Sequence, residues 1–278
     1  MMVDQKTLLR ELQGLPINPT DEAVLTTVFD IYTASNSEVK FVQLGAYDGS
    51  GDIFQEKYLW PDQRPDLYGI LVEPSPAAFG RLKLLVNNRM DLATRVTCIN
   101  KAVHPIGKTE LDFYQVDELM LFQEVGQEIL ERYGIHLGSF QRISSLDRQH
   151  LVKHFEKFRI ESKSLLSSKE FLDRFSFKIS VETISVSGLI DSLVSLVSPV
   201  VSELDPSESE SLIDLLIVDV EGVDLSVMES FFAAGIFPKI IMYEDVHLDL
   251  GVSSSLLLKN DYKNIKLSGY NSLGVRLM

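Results

Sequence analysis

The stretch Phe41-Val-Gln-Leu-Gly-Ala-Tyr-Asp-Gly-Ser-Gly51 is an apolar run that ends in a glycine-rich turn. A second apolar run, Gly69-Ile-Leu-Val-Glu73-Pro74, follows it and ends in a carboxylate. A glycine turn after a strand brings backbone amides close to a ligand, and a carboxylate after the next strand can accept two hydrogen bonds from a ribose diol. Glycines alone would more often mark an ordinary tight turn, but the two runs together predict a nucleoside-cofactor site.

The spacing of the glycines narrows the choice of nucleoside. Gly45, Gly49 and Gly51 form the pattern G-x-x-x-G-x-G, whereas the dinucleotide fingerprint is G-x-G-x-x-G. The wider spacing disfavours a pyrophosphate wrapped on a helix N-terminus. S-adenosylmethionine fits better because it has no phosphates, and Asp48 or a neighbouring residue could offset its cationic amine and sulfonium.

Four separated motifs extend this pattern along the chain. In order they are Gly45-Ala-Tyr-Asp-Gly49, Val72-Glu-Pro-Ser-Pro76, Asn100-Lys-Ala-Val103 and Ile217-Val-Asp-Val-Glu-Gly222. Together they resemble the FkbM-type family of S-adenosylmethionine-dependent methyltransferases, over residues 40–245. The resemblance implies a Rossmann-like α/β fold of the class I methyltransferase type, with a mostly parallel sheet and helices on both faces. Residues 105–180 match no motif of that family.

The resemblance also implies which residues contact S-adenosylmethionine. Glu73 would hold the ribose hydroxyls, the 45–51 loop the amino-acid end, residues 100–103 the vicinity of the adenine, and Asp219 the methyl side. Gln43 departs from the pattern, because many methyltransferases of this fold carry an acidic residue there and an amide cannot supply that charge. The implied cofactor-binding residues are Gln43, Gly45, Ala46, Tyr47, Asp48, Gly49, Glu73, Pro74, Lys101, Ala102, Ser144, Ser145 and Asp219.

Methyl transfer requires an acceptor atom held in line with the departing sulfur, and a hydroxyl acceptor must also lose its proton. Asp219, Glu244 and His247 are the candidate catalytic bases, since each lies at or just past a strand end predicted to face the cofactor. The histidine has the most suitable unperturbed pKa, whereas the carboxylates need burial to act near neutral pH. We therefore expect O-methylation of a small molecule or a carbohydrate.

Other functions stay open at this point. The acids at the strand ends could bind a divalent metal that holds the acceptor, although no recognised spacing supports it, and helix N-terminal charge is their ordinary role. A hydrolase is disfavoured because no G-x-S-x-G turn is present. The main alternative is a non-catalytic binding or scaffold protein of the same fold, and nicotinamide-dependent reduction is disfavoured by the glycine spacing. The candidate metal ligands are Asp219, Glu221, Glu244, Asp245 and His247.

The length of 278 residues predicts a single domain, 1–278. Apolar residues at helical spacing predict N-terminal covering helices within 1–38 and a helical insertion over 116–178, which could cap the acceptor pocket. Strands are expected near 39–44, 67–72, 94–103, 108–116, 178–186, 212–220, 238–243 and in the tail from 262 onward.

The net charge of −14 is unevenly distributed, since residues 179–238 contain eleven Asp and Glu but no Lys or Arg. An acidic surface repels phosphate backbones, so general nucleic-acid binding is not expected. No apolar run reaches the roughly 18 residues of a membrane span, and the N-terminus lacks the apolar core of a signal peptide. The lone Cys98 lies in a strand-like run and cannot form an internal disulfide, so a cytoplasmic location is expected. Nothing in the sequence indicates the oligomeric state.

Overall fold

A computed structural model describes residues 5–15, 19–34, 36–61, 64–104, 109–125, 144–146, 148–149, 151–153, 156, 167–197, 212–245, 248–267 and 271–277. The helices are α1 Gln5–Gln13, α2 Asp21–Thr33, α3 Pro76–Asn87, α4 Met90–Ala93, α5 Glu118–Val125, α6 Ser168–Phe175, α7 Val186–Val197, α8 Asp224–Ala233 and α9 Leu250–Lys259, with a π-helical turn at Gln55–Leu59. The strands are β1 Val39–Leu44, β2 Leu67–Val72, β3 Val96–Ile99, β4 Ala102–Val103, β5 Glu110–Val116, β6 Ser176–Ile184, β7 Leu215–Val218, β8 Ile240–Glu244, β9 Tyr262–Lys266 and β10 Asn271–Arg276.

The main sheet has seven strands in the order β3-β2-β1-β7-β8-β10-β9. The strands β3, β2, β1, β7 and β8 run parallel to one another, and β10 pairs antiparallel with both β8 and β9. The order reverses between β1 and β7, as in a doubly wound sheet. The structure confirms the predicted Rossmann-like α/β fold with a mostly parallel sheet.

Helices cover both faces of this sheet because its inner strands are apolar on both sides. In β1, Phe41 packs on one face in a cluster that includes Phe29 of α2, whereas Val42 packs on the other face with Leu189 of α7 and Phe231 of α8. This alternation along consecutive residues is the two-residue period of a strand. Parallel strands buried on both faces read as continuous apolar runs, which is why the sequence of β1, β2 and β7 locates them.

The covering helices begin where capping side chains stand in the sequence. The Thr20 hydroxyl accepts the Ala23 amide at 3.2 Å at the start of α2. Ser75 caps α3, and Pro76 occupies its first turn, as the Ser-Pro pair predicts. In the part of the chain that the structure describes, no helix is long and apolar enough to cross a membrane.

A second, smaller sheet has the order β4-β6-β5, with β5 and β6 antiparallel. The single strand expected over 94–103 is wrong, because β3 belongs to the main sheet and β4 to the small one. The chain leaves the main sheet at Asn100, whose side-chain amide donates to the carbonyls of Glu73 and Pro74. Those two bonds anchor the crossing point against the end of β2.

Within 116–178, the described residues include α5 and α6, which share a small apolar cluster. Leu121 of α5 packs there with Phe171 and Phe175 of α6 and with Val116 at the end of β5. Phe171 and Phe175 face each other with ring centroids 4.8 Å apart. Between Val125 and Ser167, the predicted helical insertion is described only at 144–146, 148–149, 151–153 and 156. The two helices therefore pack beside the small sheet, against the end of β5.

We predict that Gly45→Ala severely destabilises the protein. Gly45 has φ 78°, and a Cβ placed there would lie 1.7 Å from the carbonyl oxygen of Asp219 on the neighbouring strand end. Backbone strain and overpacking cost roughly 1–3 kcal/mol each, so the free energy of unfolding should fall by roughly 2–6 kcal/mol in urea titrations. Gly80→Ala is the matched control: Gly80 lies within α3, a Cβ there would meet nothing within 4 Å, and its stability should be unchanged or increased. Equal stabilities for the two variants would contradict this account.

Candidate functional site

A cavity of about 220 Å³ opens at the carboxyl ends of β1, β2 and β7, where the strand order reverses. Open α/β sheets bind their ligands at this position. One side is formed by the turn after β1, and the opposite side by β4, β5 and the short segment 144–146. The lining residues are Gln43, Gly45, Ala46, Tyr47, Ser50, Gly51, Asp52, Ile53, Val72, Glu73, Pro74, Lys101, Ala102, Val103, Phe113, Ser144, Leu146, Ile217, Val218, Asp219, Val220, Glu221, Met242 and Asn271.

The turn after β1 uses its backbone amides internally. The amides of Gly45 and Ala46 both donate to the Val72 carbonyl, at 2.9 and 3.0 Å. The amide of Tyr47 donates to Glu73, and that of Gly51 to the Glu56 carboxylate. The expectation that this turn offers bare amides to a ligand is therefore wrong for these four groups. Their acceptors are Val72 and Glu73 of the β2 segment and Glu56 of the following helical turn.

Glu73 is held rigidly at the end of β2. Its two carboxylate oxygens accept the backbone amides of Tyr47 at 2.9 Å and Ser75 at 2.7 Å. Burial raises the pKa of Glu73 to about 7, against the opposing effect of these two hydrogen bonds. A carboxylate has about four lone-pair sites, so each oxygen can still accept a hydrogen bond from a ligand hydroxyl in the cavity.

The wall opposite the turn is mainly apolar and carries one unsatisfied hydroxyl. Val103 and Phe113 are buried and line the cavity. The Lys101 ammonium also lines it and pairs with Glu182 at 3.0 Å. Ser144 is 8% exposed, and its hydroxyl has no hydrogen-bond partner among the described residues. A buried polar group without a partner is costly, which marks Ser144 as a residue whose hydroxyl needs a partner that the described residues do not supply.

Three carboxylates meet at the ends of β7 and β8. One oxygen from each of Asp219, Glu221 and Glu244 lies within 4.8 Å of the others. Glu221 has φ 52°, and the Asp224 carboxylate fixes its loop by accepting the amides of Val220 at 3.0 Å and Gly222 at 3.1 Å. The fold therefore holds like charges close together, in a geometry whose oxygens could also share a divalent cation.

Desolvation and mutual repulsion disfavour ionisation of this carboxylate cluster. The pKa of Glu221 is raised to about 8, by desolvation and then by Asp224. The pKa of Glu244 is also raised to about 8, by desolvation and then by Glu221. Asp219 is open to the cavity, yet protein atoms surround it closely, and desolvation with Glu221 raises its pKa well above the usual range. Groups of this kind can take up a proton near neutral pH.

The structure brings most of the predicted site residues together around the cavity. Asp48 and Gly49 do not line it, since the Asp48 carboxylate faces outward to Ser50 and Arg81. Ser145 lies behind the wall and donates from its hydroxyl to the Glu221 carbonyl. The predicted residues that line the cavity are Gln43, Gly45, Ala46, Tyr47, Glu73, Pro74, Lys101, Ala102, Ser144 and Asp219.

Three further predicted residues, and one that was not predicted, complete this comparison. Glu244 belongs to the carboxylate cluster, but Asp245 does not, because it binds the Lys266 ammonium and the Ser272 hydroxyl. His247 lies outside the described residues. Asp52 lines the cavity and was not predicted. The sequence points to it only indirectly, because the acidic residue expected at position 43 is missing and another carboxylate could replace it.

No family model matches the sequence, and the search of curated proteins found no match either. Solved structures similar to this chain include the methyltransferase FkbM from Methylobacillus flagellatus KT, which is 11% identical with a TM-score of 0.45. That match covers 96% of this chain and 57% of the other, so this chain spans a little over half the length of that structure.

Two more similar structures are methyltransferases. The N-terminal domain of human METTL16 in complex with SAH is 11% identical, with a TM-score of 0.38 and coverage of 98% of this chain and 79% of that one. The rRNA methyltransferase aviRa from Streptomyces viridochromogenes is 12% identical, with a TM-score of 0.36 and coverage of 95% and 86%. The strand order and pairing described above are what assign the fold of this chain.

The carboxylate cluster predicts a pH-dependent stability. Between the usual glutamate pKa of 4.5 and the raised values of about 8, the folded protein keeps protons that the unfolded chain has lost. The free energy of unfolding should therefore fall as the pH rises through this interval. Glu244→Gln removes one carboxylate from the cluster. The Tm of this variant minus the Tm of wild type should therefore increase by several degrees from pH 5 to pH 9, since 1 kcal/mol of stability corresponds to roughly 2–4 °C.

Thermal melts of both proteins across this pH range measure the effect. Glu229→Gln is the matched control, because Glu229 is an exposed glutamate on α8 outside the cluster. Its Tm difference from wild type should stay constant with pH. A constant difference for Glu244→Gln as well would show that Glu244 does not share charge repulsion with its neighbours.

Proposed function

We propose that this protein is an S-adenosylmethionine-dependent methyltransferase of the FkbM type that methylates a hydroxyl group of a small molecule or a carbohydrate. The observation that carries the proposal is the set of carboxylates around the cavity. Glu73 faces the turn after β1, and Asp52, Asp219 and Glu221 line the same space. S-adenosylmethionine offers a ribose diol to one carboxylate and two positive charges to the others, and it brings no phosphate.

The chemistry of the donors and acceptors fits each part of this cofactor. The remaining lone pairs of Glu73 suit the two ribose hydroxyls, because the backbone amides of Tyr47 and Ser75 keep the carboxylate in place. Val103 and Phe113 provide an apolar wall for the adenine. Glycine at position 45 lets β1 and β7 end side by side, which leaves space for the amino-acid end over the turn.

A dinucleotide fits the same cavity poorly. Four amides of the 45–51 turn already donate within the protein, so they are not available to a pyrophosphate. Among the described lining residues, Lys101 is the single Lys or Arg, and it is paired with Glu182. A pyrophosphate would add net negative charge to a cavity that already holds several carboxylates, whereas S-adenosylmethionine, with an ammonium, a sulfonium and one carboxylate, adds net positive charge.

S-adenosylmethionine, when bound, supplies a methyl group on a positively charged sulfur. The residues of this chain would hold the acceptor in line and remove its proton. Glu244 is a candidate for that task because its pKa is raised to about 8, so that its ionised form is a stronger base than an ordinary carboxylate. Asp219 would face the methyl side of the cofactor at the end of β7, and His247 stays in the proposal as a third candidate base. An acceptor hydroxyl would lie between the carboxylate cluster and the wall around Ser144.

The first test is a thermal melt of the purified protein alone, with S-adenosylhomocysteine and with NAD. At about a hundredfold excess over the Kd, a ligand adds roughly 2.7 kcal/mol of stability, which corresponds to a Tm rise of several degrees. We expect the rise with S-adenosylhomocysteine and not with NAD. No rise with either ligand would contradict the proposal and favour a non-catalytic scaffold of the same fold.

The acceptor is tested separately with S-adenosylmethionine labelled in its methyl group. Pools of hydroxylated small molecules, carbohydrates and RNA serve as three arms of one screen. Transfer to either of the first two pools, lost in Glu244→Gln, is the expected outcome. Transfer confined to RNA would contradict the proposed acceptor class, although not the proposed cofactor.

The ribose assignment of Glu73 predicts a specific loss of discrimination. Wild-type protein should bind S-adenosylhomocysteine more tightly than its 2′,3′-dideoxy analogue, by roughly 1.5–3 kcal/mol for each lost charge-assisted hydrogen bond. In Glu73→Ala the two ligands should bind about equally, because neither can reach a carboxylate. Calorimetry of the four pairs gives the interaction energy as a double-mutant cycle.

This cycle separates ligand contact from damage to the turn, since Glu73 also accepts two backbone amides. Damage to the turn would weaken both ligands in parallel and leave the discrimination intact. Glu38→Ala is the matched control, because it removes an exposed glutamate just before β1. Undiminished discrimination in Glu73→Ala would remove Glu73 from the ribose site.

A further inference from the structure

Gln43 is a buried amide whose orientation is fixed by its neighbours. It is 1% exposed in the middle of the sheet, two positions before Gly45. The side-chain nitrogen of Gln55 donates to its oxygen at 3.0 Å and to the Ala46 carbonyl at 3.2 Å. Because the Gln55 nitrogen points at the Gln43 oxygen, the Gln43 amide nitrogen must point elsewhere. It lies on the side of Asp52, whose carboxylate it stabilises, and both residues line the cavity.

Asp52 is immobilised on its protein side and faces the cavity on the other. The Gln55 amide donates to one of its oxygens at 2.8 Å. Asp52 lines the cavity together with Gln43. The carboxylate therefore has a defined place beside position 43 at the end of β1.

A helix-capping role accounts for only part of this arrangement. Asp52 directly precedes the helical residues 53–59, and its bond from the Gln55 amide is that of a capping carboxylate. Capping requires neither the neighbouring Gln43 amide nor a position on the cavity surface. No Lys or Arg of the described residues forms a salt bridge with Asp52. The negative charge therefore faces the cavity without a protein partner of opposite sign.

Resting on the proposed function, we infer that Asp52 binds the α-ammonium group of the cofactor's amino-acid end and that Gln43 is its positioning residue. Asp52, just after the glycine turn, thus supplies the negative charge that the amide of Gln43 cannot supply. Asp52 is near enough to Asp219 to raise that residue's pKa, so the two carboxylates share one end of the cavity. Glu73 remains the ribose partner across the turn.

Asp52→Asn tests this inference without removing the cap, because asparagine caps helices as well as aspartate does. S-adenosylhomocysteine carries the ammonium but no sulfonium, and 5′-methylthioadenosine lacks the amino-acid end altogether. We expect Asp52→Asn to weaken S-adenosylhomocysteine roughly 10- to 150-fold, the range of one hydrogen bond to a charged group. Binding of 5′-methylthioadenosine should stay within about twofold of wild type, and the Tm without ligand should be unchanged.

A charge relocation provides the positive test. Gln43→Glu in the Asp52→Asn background moves the carboxylate to the strand position, and it should restore most of the affinity for S-adenosylhomocysteine. Gln43→Glu alone places two carboxylates in contact and should lower the Tm without improving affinity. Glu22→Gln is the matched control, since Glu22 is an exposed carboxylate that pairs with Lys57 of the neighbouring helical turn and lies outside the cavity. It should leave both ligands unaffected.

The outcomes separate this inference from the proposed function. If wild-type protein binds both ligands and Asp52→Asn weakens neither, Asp52 is not the ammonium partner and the cofactor assignment stands. Equal weakening of both ligands would show a structural effect on the turn and would also overturn the inference. If wild-type protein binds neither ligand, the proposed function itself fails. A further test uses an analogue of S-adenosylhomocysteine that lacks the α-amino group. Wild-type protein should bind this analogue as weakly as Asp52→Asn binds S-adenosylhomocysteine itself, so the contact is tested without changing the protein.

Discussion

The register of β1 between its two neighbours is the constraint on which the rest of the site depends. Leu44 is paired with Val72 on one side and Val218 on the other. The residues that follow these three, Gly45, Glu73 and Asp219, are therefore brought to the same level at the edge of the sheet. A one-residue slip would turn every side chain of β1 to the opposite face, so the packing on the two buried faces maintains this alignment. The cavity is a consequence of strand pairing before any ligand is considered.

Much of the fold could be predicted because burial on both faces leaves a strong signal in parallel strands. The predicted bounds 39–44 and 67–72 agree with β1 and β2, and the Ser-Pro pair at Ser75 begins α3 as expected. The helix α9 was not predicted, since Leu250, Val252 and Leu258 are exposed and blur its apolar face. The division of 94–103 between two sheets also has no local signal, because it depends on the distant bonds that Asn100 makes to the end of β2.

Site residues that end a strand could be predicted from the sequence, whereas a site residue whose position depends on the path of a turn could not. Glu73 and Asp219 could be located because each ends an apolar run. Asp52 could not, since its place beside Gln43 arises only when the chain from Gly45 onward folds back over β1. The same fold explains the error about bare amides: a turn that closes on its own carboxylates consumes the donors that a sequence pattern suggests are available.

The electrostatics of the cavity give these observations a common meaning. Desolvation and then repulsion from neighbouring carboxylates raise the pKa of Glu221 and Glu244 to about 8, and burial raises the pKa of Glu73 to about 7, so these groups retain protons near neutral pH. Bound protons neutralise these carboxylates. On the proposed function, the ammonium and the sulfonium of the cofactor bring positive charge to them, and each carboxylate that lies beside one of these groups becomes easier to ionise. Cofactor binding would then prepare the cluster to act as a base, because the same charge that fills the cavity displaces the protons that kept the carboxylates neutral.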